Sequence, residues 1–162
     1  MMIEIKAPGD YSAYKGKGKP LLFLAGSIEM GMAEDWQAIL SAALQSLDVI
    51  VLNPRRTNWD PTWEQEIGNA KFREQVEWEL TALEEADIAL FYFVPETKSP
   101  ITMMELGLMA KMSPEKMIVC CPDGFWRKGN VDIVCARYGI RESETIETLI
   151  PAVKAMLAKK AA

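Results

Sequence analysis

The sequence predicts one α/β domain, with a mostly parallel sheet between two layers of helices. Three observations predict it: short apolar runs recur along the chain, stretches of helical periodicity separate them, and Gly, Pro or Asn closes most of the runs. Parallel strands need crossovers that return over the sheet, so helices cover both of its faces. A chain of 162 residues, 49% hydrophobic and 25% charged, suffices for one such core without metal or disulfide staples.

Taken in order, Ile3 to Ala7 is a short strand, followed by a Gly- and Lys-rich surface loop over residues 10–20. Leu21 to Ala25 is a strand bounded by Pro20 and Gly26. Over residues 33–47, Trp36, Ile39, Leu40, Ala43, Leu44 and Leu47 share one helical face. Val49 to Leu52 is a strand stopped by Asn53 and Pro54, and residues 63–86 read as a helix through Phe72, Val76, Leu80 and Leu83. Residues 87–94 form an apolar strand behind a leading aspartate. Ser99 and Pro100 are the N-cap and first-turn signals of a helix running to Lys111. Met117 to Cys121 is a buried strand, the segment 122–141 is irregular with a strand near Ile133, and residues 143–159 form an amphipathic helix.

Composition excludes several function classes. A net charge of -5 disfavours a nucleic acid polymer as partner. Three cysteines without a CxxC spacing suit reduced, buried thiols. No apolar run is long enough to span a bilayer, and Met1 to Lys6 lacks a signal-peptide stretch, so a cytoplasmic location is expected. Histidine is absent, which removes the usual general base and the commonest metal ligand. Catalysis would rest on carboxylates, hydroxyls, amides or thiolates, with no metal or other cofactor expected.

In parallel sheets ligands bind outside the carboxyl ends of the strands, so the residues that follow each strand are the candidates. They are Gly26-Ser27-Ile28, Asn53-Pro54-Arg55-Arg56, Pro95 to Ser99 and Pro122 to Trp126. Glu105 lies in the second turn of the helix begun at Ser99, among apolar neighbours, either on its solvated face or aimed into a pocket. Gly107 and Ala110 favour a close approach there. Asp87 either caps a loop or takes part in chemistry.

The stretch Leu22 to Ile28, then Asn53-Pro54-Arg55-Arg56, Ala86-Asp87, and Ser99 through Glu105-Leu106-Gly107 resemble, in order, the motifs of nucleoside 2-deoxyribosyltransferases. The resemblance covers about Leu21 to Asn130. It implies a flavodoxin- or Rossmann-like three-layer sandwich with a five-stranded parallel sheet. It also implies exchange of nucleobases on 2-deoxyribose by double displacement. Glu105 would be the nucleophile and Asp87 the group serving the base. Gly26, Ser27, Ile28, Asn53, Arg56, Ser99 and Thr102 would contact substrate, and Asn130 would reach into a neighbouring subunit's site in a homo-oligomer. Many relatives carry an aspartate where this chain has Ser99; Thr102 is the hydroxyl that could replace it at the sugar. Glu29 follows the glycine turn where related monophosphate hydrolases carry an arginine. The implied partners are a deoxynucleoside and a free nucleobase. A dedicated N-glycoside hydrolase and a non-catalytic nucleoside-binding module are the alternatives. Phe125 and Trp126 could stack a base or pack an interface.

Overall fold

The computed structural model describes residues 1–160. It is an α/β structure with one fully parallel sheet in the order β1-β3-β2-β4-β5-β6. The strands are β1 (Ile3–Lys6), β2 (Leu21–Gly26), β3 (Ile50–Asn53), β4 (Ile88–Tyr92), β5 (Met117–Cys120) and β6 (Arg141–Ser143). The helices are α1 (Trp36–Leu44), α2 (Ala70–Glu85), α3 (Pro100–Met112), α4 (Lys128–Tyr138) and α5 (Ile146–Lys160). No helix among the described residues is long and apolar enough to cross a membrane.

Alternate residues along the strands build two cores, because strand side chains point to opposite faces in turn. Phe23, Ala89, Phe91 and Val119 pack with Leu83 of α2, Leu106 of α3 and Val131 of α4. Leu22, Leu24, Leu90 and Ile118 pack on the other face with Trp36 and Leu40 of α1 and with Leu149 and Val153 of α5. Central strands covered on both sides carry no polar face, and this explains their unbroken apolar runs.

Two expectations need correction. The sheet has six strands, not five: β6 is the polar tripeptide Arg-Glu-Ser at an edge, held by pairing with β5. The segment after Pro122 is not irregular but contains α4, which buries only Val131 and Cys135 and so carries almost no apolar stripe. Boundaries shift as well. The second helix begins at Ala70, where the Asn69 side chain accepts the Phe72 N–H at 3.0 Å, and not at Trp63. The residues before it form a loop in which Trp59 and Trp63 meet edge to face at 5.2 Å.

Strand order fixes where a ligand can enter. From β2 the chain crosses to β3 on one side, whereas β4 lies on its other side and leads on to β5. The carboxyl ends of β2 and β4 therefore flank a switch point, the usual binding crevice of such sheets. Gly26 ends β2 there. A Cβ on it would lie 2.4 Å from the Tyr92 carbonyl oxygen and 2.5 Å from Trp36 Cζ2. We expect Gly26→Ala to lower unfolding stability by about 1–3 kcal/mol through overpacking. Denaturant titration reads this as a lower midpoint; an unchanged midpoint would show that the backbone there yields without cost.

Candidate active site

A cavity of about 340 Å³ opens at this switch point. Its walls come from the turn after β2, the loop after β3, one face of α2 and the first two turns of α3. Gly26, Ile28, Arg56, Ser99, Thr102 and Glu105 all line it, as expected. A second cavity of about 430 Å³ lies at the opposite, amino edge of the sheet, between Lys15, Lys19, Glu85 and Asp87. Two of its basic groups are matched, Lys15 with Glu85 and Lys19 with Asp48 at 2.7 Å, and Lys160 also lines it.

Glu105 points inward. The buried residues of α3 are Thr102, Glu105, Leu106, Met109 and Ala110, one helical stripe facing the sheet. The carboxyl is only 6% exposed and is pushed up to about 8, first by burial and second by the charge of Glu79. Glu79 comes from α2 and lines the same cavity. Its own carboxyl is pushed up to about 7 by burial, an effect opposed by a hydrogen bond from Gln75. Gln75 Nε2 donates to Glu79 Oε1 at 2.7 Å and to the Pro54 carbonyl at 2.9 Å, so it fixes Glu79 against the loop after β3. Burial raises the proton affinity of both carboxyl groups, and the charge of Glu79 raises that of Glu105 further, so the two are not both fully ionised near neutrality. The pair can thus present one carboxylate and one carboxylic acid to a bound molecule.

Glu79 was not foreseen. Its position carried a signal: Gln75, Glu79, Ala82 and Leu83 follow the spacing of the inward stripe of α2, so a glutamate interrupts an otherwise sheet-facing row. A charged residue on such a row has either a partner or a cavity.

Asp87 requires correction. It lies at the amino end of β4, where Oδ2 accepts the Leu21 N–H at 2.8 Å. The five residues of β4 separate it from the switch point, about 17 Å at the usual strand rise. Asp87 therefore ties β4 to β2 and does not meet Glu105. The loop-capping alternative is the one realised.

The hydroxyl residues form a scaffold more than a contact surface. Ser27 Oγ meets Thr97 Oγ1 at 2.9 Å and Ser99 Oγ at 2.5 Å, and accepts the Val94 N–H at 2.9 Å. Ser99 stands at the N-cap of α3, but its hydroxyl caps nothing there because it is drawn into this network. The Ser99 N–H instead donates to Glu29 Oε1 at 2.7 Å. Glu29, Met30 and Ser99 adopt left-handed φ values of 47°, 54° and 48°. Each costs on the order of 1 kcal/mol for a side chain other than Gly, so cross-links must hold the rim in place.

Arg55 is one of those cross-links. It donates to the carbonyls of Gly31 at 3.0 Å and Ala33 at 2.9 Å, and so closes the loop before α1. Arg56 is the cation left at the cavity, with 4% of its side chain exposed. It bonds Glu74 at 3.1 Å and Asn58 at 2.7 Å, and lies over the Trp63 ring at 5.1 Å. Trp59 and Phe72 line the cavity with it and make an aromatic and cationic wall.

Asn53, Phe125, Trp126, Asn130 and Gly107 do not line the cavity of their own chain. Asn53 is buried; its side chain donates to Glu4 at 2.9 Å and accepts from the Arg55 N–H at 2.9 Å, which leaves it no face toward the cavity. Phe125 is core, packed on Phe93 at 4.9 Å, and Trp126 lies between Lys98 and Arg127 with its N–H on the Lys98 carbonyl. Neither aromatic lines the cavity. Asn130 is exposed on α4, away from the cavity of its own chain. Gly107 faces open space, with nothing of its own chain packed against it among the described residues.

Comparison with known proteins agrees with this geometry at the level of fold and family. No curated protein matches the sequence. Among solved structures, a conserved protein from Enterococcus faecalis V583 superposes with a TM-score of 0.58 at 13% identity. The match covers 85% of this chain and 98% of that one, and speaks for a shared fold. The family model described as "Nucleoside 2-deoxyribosyltransferase like" matches residues 19–125, a span that holds β2 through β5 and every wall of the cavity. The chain belongs to the nucleoside 2-deoxyribosyltransferase like family.

Proposed function

We propose that this protein cleaves and re-forms the N-glycosidic bond of 2-deoxynucleosides, with Glu105 as nucleophile and Glu79, in place of Asp87, as the acid–base partner. The observation that carries this reading is two carboxyl groups of raised proton affinity lining one cavity at the switch point. Retaining glycosyl transfer needs that combination: one carboxylate to attack, one carboxylic acid to release the leaving group. The Glu105 oxygen bonds to C1 as the C1–N bond breaks. The released electron pair goes to the base nitrogen, which takes the proton from Glu79. Positive charge that develops on the sugar favours the ionised form of Glu105 and leaves the proton with Glu79, the arrangement the step requires. A second base then attacks C1, gives its proton to Glu79 and frees Glu105. Water in place of that base would yield hydrolysis.

The wall of Trp59, Phe72 and Arg56 suits a flat base, whereas Thr102, one turn before Glu105 on the same inward stripe, suits the sugar. α3 also supports a homo-oligomer. Ile101, Met104, Leu108 and Met112 are 46–59% exposed along its outer side, and Ile101 lines the cavity as well. A second copy seated on this apolar row would border the site, and Asn130 would act from there. We expect wild type to sediment as an oligomer and Met104→Glu to shift it toward monomer with loss of transfer; a monomeric wild type with full activity would exclude the shared site.

The carboxyl pair makes a further prediction. Glu105→Gln should lower base exchange between a deoxynucleoside and a second free base by more than tenfold, about 1.4 kcal/mol of barrier. The same variant should be more stable than wild type. A carboxyl raised from 4.5 to about 8 in the folded state adds full stability below pH 4.5 and loses it as pH rises toward 8. The melting-temperature gain of the variant should therefore grow between pH 5 and 8. Glu79→Gln should remove one limb of a bell-shaped rate profile. Activity of Glu105→Gln above a tenth of wild type, or a stability gain that does not vary with pH, contradicts the assignment. Product analysis with and without the second base separates exchange from hydrolysis.

A further inference from the structure

Gln75 is a buried amide whose two ends are treated differently. Its nitrogen donates twice, to the Pro54 carbonyl at 2.9 Å and to Glu79 Oε1 at 2.7 Å. Its oxygen is buried with no hydrogen-bond partner. An amide that leaves an acceptor unpaired in the interior forfeits hydration there, so something must hold it that way round. Pro54 does so. A proline presents a carbonyl and no N–H, and turning the amide over would set oxygen against oxygen. The unpaired oxygen is the consequence of a nitrogen fixed between two acceptors.

That orientation decides where Glu79 can carry a proton. Both N–H groups of the amide are taken, one by Pro54 and one by Glu79, so Glu79 Oε1 meets a donor and accepts. A proton on Glu79 therefore resides on Oε2, which takes no hydrogen bond among the described residues. A donor on Oε1 also favours the carboxylate over the acid, and this opposes the effect of burial on Glu79. The other charged groups that line the cavity are Glu29 from the turn after β2, Arg55 and Arg56 from the loop after β3, and Glu105 from α3. Both arginines are engaged elsewhere, Arg55 with the carbonyls of Gly31 and Ala33, Arg56 with Glu74 and Asn58. Gln75 is the one side chain hydrogen-bonded to Glu79 among the described residues. The same nitrogen binds Pro54, at the head of the loop that carries Arg56 and Trp59, so the acid and the aromatic wall have a common anchor.

We propose that Gln75 is a positioning residue that clamps Glu79 by one oxygen, reserves the other for the proton passed to the leaving base, and fixes this acid to the loop bearing the aromatic wall. The proposal rests on the glycosidic reading above and gives Gln75 no contact with the substrate.

The test follows base exchange from deoxyadenosine or thymidine onto free cytosine, as kcat/KM over about pH 5 to 9, in wild type, Gln75→Met, Glu79→Gln and the double variant. Methionine fills the volume and offers no donor; melting temperature checks the fold. Without the donor Glu79 holds its proton more tightly, so the alkaline limb of the Gln75→Met profile should move upward by about one unit. The maximum should fall by about tenfold or more, because the acid is no longer held in place. In the Glu79→Gln background, Gln75→Met should cost less than about twofold, since the group it positions is gone. If Gln75→Met melts below the assay temperature, Gln75→Glu takes its place; it keeps the size, turns the donor into an acceptor, and should shift the limb in the same direction. An unmoved alkaline limb, or losses that add in the double variant, overturns the positioning role while leaving the glycosidic function standing. Exchange by Glu79→Gln at the wild-type rate overturns the acid assignment, and the role of Gln75 with it.

Discussion

The structure depends on two acidic side chains held in one cavity with no salt bridge to either among the described residues. Glu105 and Glu79 are raised by burial, and neither is relieved by a salt bridge. Such a pair is an energetic burden for the fold and lowers stability toward alkaline pH. It persists because the surrounding elements leave it no escape. α3 carries Glu105 on the same stripe as Leu106 and Met109, so rotating the acid outward would expose the core. Gln75 holds Glu79 to the loop after β3. The cost falls on the folded ground state, and the pair yields a proton and a nucleophile at one place.

The rim is built on similar terms. Three left-handed residues other than Gly, Glu29, Met30 and Ser99, border the cavity, and the Glu29 side chain is tied to the Ser99 N–H. The Ser27, Thr97 and Ser99 hydroxyls join the ends of β2 and β4 through one buried network, while Trp36 Nε1 donates to the Ser27 carbonyl at 3.0 Å from the opposite layer. Arg55 closes the loop above. Residues that looked like substrate contacts in sequence, Ser27 and Asn53 above all, are the joints that keep the contacts in position.

What could be read from sequence follows from where the polar constraints lie. The central strands were legible because both faces are covered, leaving uninterrupted apolar runs such as Ile88 to Tyr92. The site's location followed from parallel topology, and Glu105 from its motif. β6 and α4 were not legible, because edge pairing and two buried side chains leave hardly any apolar pattern. Asp87 misled for a related reason. The resemblance gave it a role at the base, although it already stood at the head of its strand, and the sheet shows that end to lie away from the ligand crevice. Glu79 was hidden in a helix whose apolar stripe is weak, where one more glutamate among many draws no notice.

The central claim is that Glu105 forms a bond to the sugar. Incubation with a 2-deoxy-2-fluoro nucleoside, which slows release of the glycosyl group, followed by protease digestion and mass spectrometry, tests it most directly. The account predicts one added fluorodeoxyribosyl group on the peptide that contains Glu105, absent in Glu105→Gln and present in Asp87→Asn. An adduct on Glu79 or Asp87, or turnover of the slow substrate with no adduct on any peptide, would contradict it.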